Sequence, residues 1–199
     1  MEIKAALVKE LRDRSGVGMM ECKKALVETG GNIDKAFDYL RKAGAAKALK
    51  KEGREAKEGV VISYIHPGAK LGVLLELNCE TDFVAKTEDF VNLGNDIAMH
   101  IAATDPLAVS SEDISDEVIA KEKEIYSDQA KKTNKPSEII EKMVEGRLKK
   151  FFKENVLIEQ DFVKDPNKTI KDIITDTVGK LGENIVVSRF GRFQLGEKN

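Results

Sequence analysis

The sequence lacks several residue types and patterns that would point directly to a chemistry. Its 199 residues contain no Trp, two Cys and two His. Cys22 and Cys79 lie in different segments and form no CxxC pair, which argues against a disulfide framework and against a zinc site. We therefore expect neither a metal centre nor a cofactor.

Long apolar runs and an excess of one charge are also missing. No segment is long enough to span a bilayer, and no charged-then-apolar signal opens the chain, so we expect a cytoplasmic protein. The 33 basic residues are balanced by 35 acidic ones, giving a formal net charge of -2. Such a balance provides no basic field for nucleic acid. We expect no direct contact with membrane or nucleic acid.

Catalytic and nucleotide-binding motifs are absent. Residues 16–18 (GVG) lack a third glycine and a preceding strand, and there is no GxxxxGK[ST] loop, so the chain should not itself bind GTP or GDP. Neither His66 nor His100 has HExxH spacing. A Cys79–His66 dyad is conceivable, because both residues flank a predicted hairpin near the same end, but no third group would orient it. We expect a protein that is not an enzyme.

Residues 1–44 predict a small domain of three short helices. Gly16 and Gly18 interrupt the first apolar pattern, Asn32 is placed as an N-cap, and Gly44 is placed just beyond the third helix. The apolar stripes are Ile3, Leu7, Val8 and Leu11; Met19, Cys22, Ala25 and Leu26; and Ile33, Ala36, Phe37 and Leu40. Residues 45–57 are rich in Ala, Lys, Glu and Gly and predict a solvated linker that is helical in part.

Residues 58–199 predict a core domain, which makes the fold class α+β. Segments 60–65 and 71–77 read as a hairpin around the turn 66–70, and segment 185–195 should join it as a third antiparallel strand. Helices then cover the sheet. The predicted helices begin with a stripe from Phe90 to Ile101 and continue at 115–131, 137–152 and 169–181. The short connection at 133–136 predicts an antiparallel helical hairpin over about 112–158 that projects from the core.

Segment 78–86 (NCETDFVAK) places a carboxylate beside a large aromatic residue where a strand ends and a long helical pattern begins. One interpretation is that Phe83 starts the core face of its own helix and that Asp82 is a first-turn dipole partner. This is the favoured interpretation from the residues alone. The other is a wedge with an adjacent charge, presented to a partner protein.

A second candidate contact lies in the first domain. Met19 and Met20 are adjacent, so they cannot both face one core, and exposed Met is typical of adaptable binding surfaces. Both could equally wrap around the edge of the small core. Arg12 could be an ordinary solvated charge or an anchor for a partner carboxylate.

Four motifs occur in one order along the chain. They are 11–26 (LRDRSGVGMMECKKAL), 81–86 (TDFVAK), 97–103 (IAMHIAA) and 141–147 (EKMVEGR). Together they resemble bacterial elongation factor Ts, the guanine nucleotide exchange factor of elongation factor Tu. The resemblance covers nearly the whole chain, and it implies that residues 1–44 adopt a ubiquitin-associated-like fold.

The resemblance also implies roles for particular residues. Thr81, Asp82, Phe83 and Val84 would disturb the magnesium region of elongation factor Tu, with Phe83 as the wedge and Asp82 as the charge. This would promote GDP release so that GTP can bind. Arg12, Met19 and Met20 would hold the N-terminal domain against the nucleotide domain of the partner.

The chain resembles a short form of this family with a single core. Its residues 63–66 (SYIH) resemble the hairpin of the second half of longer members, whereas TDFVAK belongs to their first half. A small sheet also leaves an apolar face and an edge uncovered. We therefore expect a homodimer in which one subunit inserts Phe83 and the other offers His66 to another domain of the same partner, with two factors binding two partners.

Two other functions remain open at this level. The three-helix domain alone could belong to a ubiquitin-associated-like adaptor or a nascent-chain-binding protein without exchange activity. An RNA-binding accessory protein is the third alternative, although aromatic stacking platforms and a basic groove are missing.

Overall fold

The computed structural model describes residues 3–133 and 135–197. Met1, Glu2, Asn134, Lys198 and Asn199 lie outside the described residues. They include the start of the predicted domain 1–44, the end of the predicted domain 58–199 and one position of the predicted connection at 133–136.

The described chain is α+β and groups into two compact units that are not continuous in sequence. The first unit comprises residues within 1–60, 77–93 and 173–186, and the second comprises residues within 61–76, 94–172 and 187–199. The α+β prediction is confirmed. The domain boundaries at 44 and 57 and the ubiquitin-associated-like assignment stay predictions.

Three helices begin the first unit, as predicted. They are α1 (Ala5–Ser15), α2 (Met19–Glu28) and α3 (Ile33–Leu49), and each packs against the other two. Gly16 ends α1 at φ 67°, and the Asn32 side chain caps α3 by accepting from the Lys35 N–H at 2.9 Å. Their shared core consists of Val8, Leu11, Cys22, Ala25, Leu26, Ala36 and Leu40.

The prediction that Gly44 lies beyond the third helix is wrong, since α3 continues to Leu49. Gly44 lies at the point of closest approach to Gly179 in α8 (Ile170–Leu181). A Cβ atom on Gly179 would lie 2.9 Å from the Cα atom of Gly44. The missing side chain of Gly179 therefore permits this close contact between two helices, and Gly44 is not a stop signal for α3.

The two glycines of this crossing should respond in opposite directions to substitution by alanine. Gly179→Ala should destabilise the protein by roughly 1–3 kcal/mol, because its Cβ would press on backbone atoms that cannot move aside. Gly44→Ala should stabilise it by about 0.5–1 kcal/mol, because its Cβ would meet only an ordinary 3.8 Å contact while helix propensity improves. Urea unfolding of both variants measures the difference, and equal effects would contradict the asymmetry.

The segment after the hairpin differs from the prediction of one long helix. It forms a single turn, α4 (Asp82–Ala85), followed by α5 (Glu88–Thr104). Thr87 separates them: its hydroxyl donates to the Val84 carbonyl at 2.8 Å and accepts from the Phe90 N–H at 3.4 Å. Because this side chain ends one helix and begins the next, α4 is set apart as a separate element.

Three strands form the main sheet in the order β1-β2-β5: β1 (Glu58–Ile65), β2 (Leu71–Cys79) and β5 (Ile185–Gln194). The His66 N–H donates to the Leu71 carbonyl at 2.9 Å and closes the hairpin. The Leu195 N–H donates to the Lys70 carbonyl at 2.8 Å, which pairs the end of β5 with the start of β2. Both pairings are antiparallel, and the prediction that the late strand joins the hairpin is confirmed.

The second unit contains the predicted helical pair. Helices α6 (Asp116–Lys131) and α7 (Ser137–Asn155) pack against each other, and Ala108, Ile114, Phe151 and Val156 form a core cluster at their base. A small sheet of β3 (Asp161–Phe162) and β4 (Asp165–Thr169) was not predicted. Its sequence is polar and contains Pro166, so it has no strand-like alternation.

His100 of α5 is fully buried in the second unit. Its Nε2 lies 2.9 Å from Oε1 of Gln160, and its Nδ1 accepts the Val163 N–H at 3.3 Å. The Thr104 hydroxyl donates to the same Gln160 oxygen at 2.9 Å. Because a backbone N–H can only donate, the geometry selects the neutral tautomer that carries its proton on Nε2.

Candidate partner-binding site

The site centres on the corner where β2 ends at Cys79 and α4 begins at Asp82. Thr81 is the N-cap, with an extended backbone at φ -132° and ψ 155°, and its hydroxyl accepts from the Val84 N–H at 3.4 Å. Thr at an N-cap satisfies one of the free N–H groups that open a helix. The local sequence thus explains why the chain turns here.

Phe83 points away from the core of its own unit. Its side chain is 79% exposed, and it makes no aromatic contact within the described residues. Ala85 is the buried residue of α4. The interpretation of Phe83 as the start of a core face is therefore wrong. Leaving a Phe in water forgoes roughly 1.5–3 kcal/mol of burial energy, which a partner could recover.

Asp82 provides a charge next to this ring. Its carboxylate accepts from the Lys86 ammonium at 2.6 Å, one turn along the chain. This hydrogen bond raises the pKa of Lys86 above its usual value. Exposed pairs of this kind are weak, so the Asp82 carboxylate can exchange Lys86 for another partner at little cost.

Residues near the C-terminus hold the corner from behind, and sequence reasoning missed them. The carboxylate of Glu183 accepts from the Thr81 N–H at 2.9 Å and from the Thr81 hydroxyl at 2.7 Å. In the opposite direction, the carboxylate of Glu80 accepts from the Asn184 N–H at 2.7 Å. The Asn184 side chain donates to the Arg54 carbonyl at 2.8 Å.

The bonds at this corner shift two pKa values. The Asn184 N–H favours the charged form of Glu80 and lowers its pKa, with a smaller contribution from Arg54. Burial raises the pKa of Cys79, and the negative charge of Glu183 raises it further. The Cys79 thiol donates to the Thr81 carbonyl at 3.1 Å. A buried thiol with a raised pKa is a poor nucleophile.

This result removes the Cys79–His66 dyad. Cys79 lies at the end of β2, whereas His66 lies in the hairpin turn beside Leu71, the first residue of β2. The two residues are therefore at opposite ends of the hairpin, and the prediction that both lie near one end is wrong.

The described residues contain no group of three or more His, Cys, Asp or Glu side chains arranged to hold a metal ion. No helix among them could cross a membrane.

The second predicted contact lies in the same compact unit as the corner. Met20 is 77% exposed and Met19 is 44% exposed, so Met19 does not belong to the buried stripe of α2. The Arg12 side chain is exposed and forms no ion pair with any described residue. Arg14, by contrast, is held by Asp34 at 3.1 Å.

His66 belongs to the second unit, at the end of β1. Its Nδ1 lies 3.0 Å from the Tyr64 hydroxyl, and the side chain is exposed. An apolar patch, defined here as Ile65, Leu74, Phe193 and Leu195, lines a groove beside the same turn. All four residues expose about half or more of their surface, from 49% for Leu74 to 76% for Leu195.

Comparison with known proteins identifies the family. The family model described as "Elongation factor TS" matches residues 42–197. This chain belongs to the elongation factor Ts family. The motif-based resemblance is thereby confirmed.

Relatives of this family match along their whole length. Elongation factor Ts of Fervidobacterium nodosum is 59% identical over 99% of this chain and 100% of its own. The protein of Thermosipho melanesiensis is 59% identical over 98% of this chain and 100% of its own. That of Syntrophobacter fumaroxidans is 54% identical over 100% of this chain and 99% of its own. The family membership makes this chain a translation elongation factor.

Proposed function

We propose that the protein is the guanine nucleotide exchange factor of elongation factor Tu. The observation that supports this most directly is Phe83, a large aromatic side chain that is 79% exposed on a corner held by hydrogen bonds. In this proposal Phe83 inserts into elongation factor Tu, the partner that the family membership supports. The predicted cytoplasmic location stays a prediction.

Exchange is a matter of differential binding. The factor binds the nucleotide-free GTPase more tightly than the nucleotide-bound form, and by linkage the nucleotide and the factor weaken each other equally. Each tenfold loss of nucleotide affinity needs about 1.4 kcal/mol of this difference. No covalent bond is made or broken by this chain, so the function is not enzymatic in that sense.

The corner supplies this difference at the magnesium and phosphate site. Magnesium and the phosphate-binding backbone hold the nucleotide, so a wedge that displaces either of them weakens binding. Phe83 enters as the apolar wedge, and Asp82 brings a carboxylate that perturbs the ligands of the metal. Thr81 and Val84, which hydrogen-bond to each other, support the wedge from behind.

The N-terminal helices supply a second contact to the same partner. Met19 and Met20 present flexible apolar side chains, and Arg12 offers a guanidinium that is not used within the described residues. Because these residues and Phe83 belong to one compact unit, they can contact the partner at the same time, and their contributions add to the free energy of one binding event. The anchors hold the factor while the wedge acts.

The second unit provides dimerisation in this proposal. A second copy covers the apolar patch, and each subunit then offers His66 to another domain of the partner that the other subunit engages. The occupant is a copy of the same chain because the patch adjoins an edge of a three-stranded sheet, which is self-complementary in a twofold arrangement. Two factors and two partners form the complex.

Charge placed in the patch should break the dimer. Leu74→Lys should weaken dimerisation by at least about 100-fold, since an interface centre tolerates charge poorly. The control is Leu107→Lys, which alters a side chain that is 63% exposed but lies outside the patch. Light scattering at micromolar concentration measures the mass. A wild-type protein that is a stable monomer and still active in exchange would rule out the dimer.

The proposed function is tested with purified components. We expect the wild-type chain to accelerate release of fluorescently labelled GDP from elongation factor Tu, measured by stopped flow. A pull-down from bacterial lysate should recover elongation factor Tu as the main partner. Recovery of a ubiquitin-like protein, nascent chains or RNA instead, without acceleration of release, would favour the adaptor or RNA-binding alternatives.

A further inference from the structure

The position of Phe83 needs an explanation beyond its own helix. Helix α4 has four residues, and a single helical turn has little stability in isolation, because its nucleation fixes several dihedral angles for one hydrogen bond. Phe83 is 79% exposed, so it gains too little burial in its own unit to fix the ring. Contacts that act on the start of α4 must therefore hold the ring in place.

Glu183 makes those contacts. Both of its carboxylate oxygens are used, one by the backbone N–H and the other by the hydroxyl of Thr81. A hydroxyl has one proton to donate, so its bond to Glu183 directs that proton and leaves a lone pair for the Val84 N–H. Glu183 thus sets the orientation of the N-cap two residues before Phe83.

The turn that carries Glu183 is itself fixed. Gly182 ends α8 at φ 78°, and its N–H donates to the Val178 carbonyl at 2.8 Å. The Asn184 N–H is bound by Glu80, so each of the two segments offers a carboxylate to the backbone of the other. Such a reciprocal pair fixes both position and direction, and hydrogen bonds to charged groups are stronger than neutral ones.

We propose that Glu183 is a positioning residue for nucleotide exchange, which aims Phe83 through its two hydrogen bonds to Thr81. The inference rests on the proposed exchange function. In this role Glu183 acts through Thr81 and not through a contact of its own with the partner. Removing the Glu183 side chain leaves Phe83 in place but free to adopt other orientations. The entropy cost of ordering the segment on insertion then reduces the net free energy of binding.

Exchange kinetics test this directly. Glu183→Ala should lower the maximal rate of GDP release from elongation factor Tu about tenfold, since hydrogen bonds to a charged group typically contribute enough for such a factor. The factor concentration needed for half-maximal rate should change less than about threefold, because Arg12, Met19 and Met20 are unaffected. The control is Glu52→Gln, which neutralises an exposed carboxylate in the same unit.

A spectroscopic measurement separates positioning from general loss of structure. The chain contains no Trp, so Phe83→Trp creates a single reporter at the wedge. Adding Glu183→Ala to this variant should lower the fluorescence anisotropy of the reporter, whereas adding Glu52→Gln should not. Circular dichroism confirms folding at the assay temperature. If Glu183→Ala unfolds, Glu183→Gln is used, since it keeps the size and one acceptor oxygen.

The outcomes distinguish the two proposals. An unchanged maximal rate, or an unchanged anisotropy in the folded double variant, would overturn the positioning role of Glu183. A wild-type factor that fails to accelerate GDP release would instead overturn the exchange function. The anisotropy would still report whether Glu183 orders the segment in that case.

Discussion

Replacing Phe83 by alanine is expected to slow factor-stimulated GDP release from elongation factor Tu by about 10- to 100-fold, because burying a Phe side chain is worth roughly 1.5–3 kcal/mol. If the ring acts as a wedge, the loss should appear in the maximal rate of GDP release at saturating factor. The fold should be unaffected, since the side chain is 79% exposed and Ala85 supplies the buried contact of α4. Stopped-flow release at saturating factor measures the rate.

The control for this variant is Leu49→Ala, which removes a similarly exposed apolar side chain, 70% exposed, from the same unit. It should leave release within about twofold of wild type, because surface substitutions away from a contact are usually worth less than 0.5 kcal/mol. An unchanged release rate for Phe83→Ala would sink its role as the wedge. Equal losses in both variants would point to non-specific apolar contact.

Substitution of His100 should have the largest effect on stability. His100→Ala removes a fully buried ring whose centroid lies 6.2 Å from that of the Phe162 ring. It also leaves the Val163 N–H without its acceptor. The cavity and the unpaired donor together should cost about 3–5 kcal/mol of unfolding free energy. Urea unfolding measures it, and a loss below about 1 kcal/mol would contradict the importance of the buried network.

The same residue should make stability depend on pH. Burial lowers the pKa of His100 below 6.5, and the hydrogen bond to Gln160 only partly opposes this shift. The unfolded chain therefore binds a proton near pH 6.5 that the folded chain does not, so stability is full above that pH and falls as the pH drops towards the lowered value. Protonation of His100 would also replace the acceptor on Nδ1 by a second donor, which would repel the Val163 N–H.

The chain provides its own control, because His66 is the only other histidine. His66→Ala should keep the loss of stability between pH 7.5 and 5.5, whereas His100→Gln should reduce it. Urea unfolding at the two pH values gives the comparison, and nuclear magnetic resonance titration of the remaining imidazole gives its pKa. A pH dependence that survives in His100→Gln would assign it to other groups.

The elements that sequence reasoning predicted are those with a strong local pattern. Segments 60–65 and 71–77 and the helical stripe of Phe90 and Ile97 follow from periodicity alone, and each was found. The corner at Asp82 and Phe83 was also visible, because polar residues separate a strand from a helix. Only its exposure, and hence its freedom to act on a partner, needed the structure.

The errors arise where a local rule met a tertiary contact. Gly44 resembled a helix end, but α3 continues past it to Leu49, and Gly44 lies in close contact with Gly179 of α8. Met19 has the spacing of a buried residue, yet Cys22, Ala25 and Leu26 already fill the core of α2. Glu183 could not be found at all, since an acidic residue in a turn has no local feature that indicates a partner 102 positions away.

That separation of 102 positions has a consequence for how the factor is made. A contact between Thr81 and Glu183 can form only after both segments have left the ribosome, and closing so long a loop costs conformational entropy. Residues within 1–60 can pack their three helices well before then. If Phe83 acts as the proposed wedge, the proposed anchors in the N-terminal helices are thus folded before Glu183 can position it, and we expect exchange activity only after the last strand of the sheet has been synthesised.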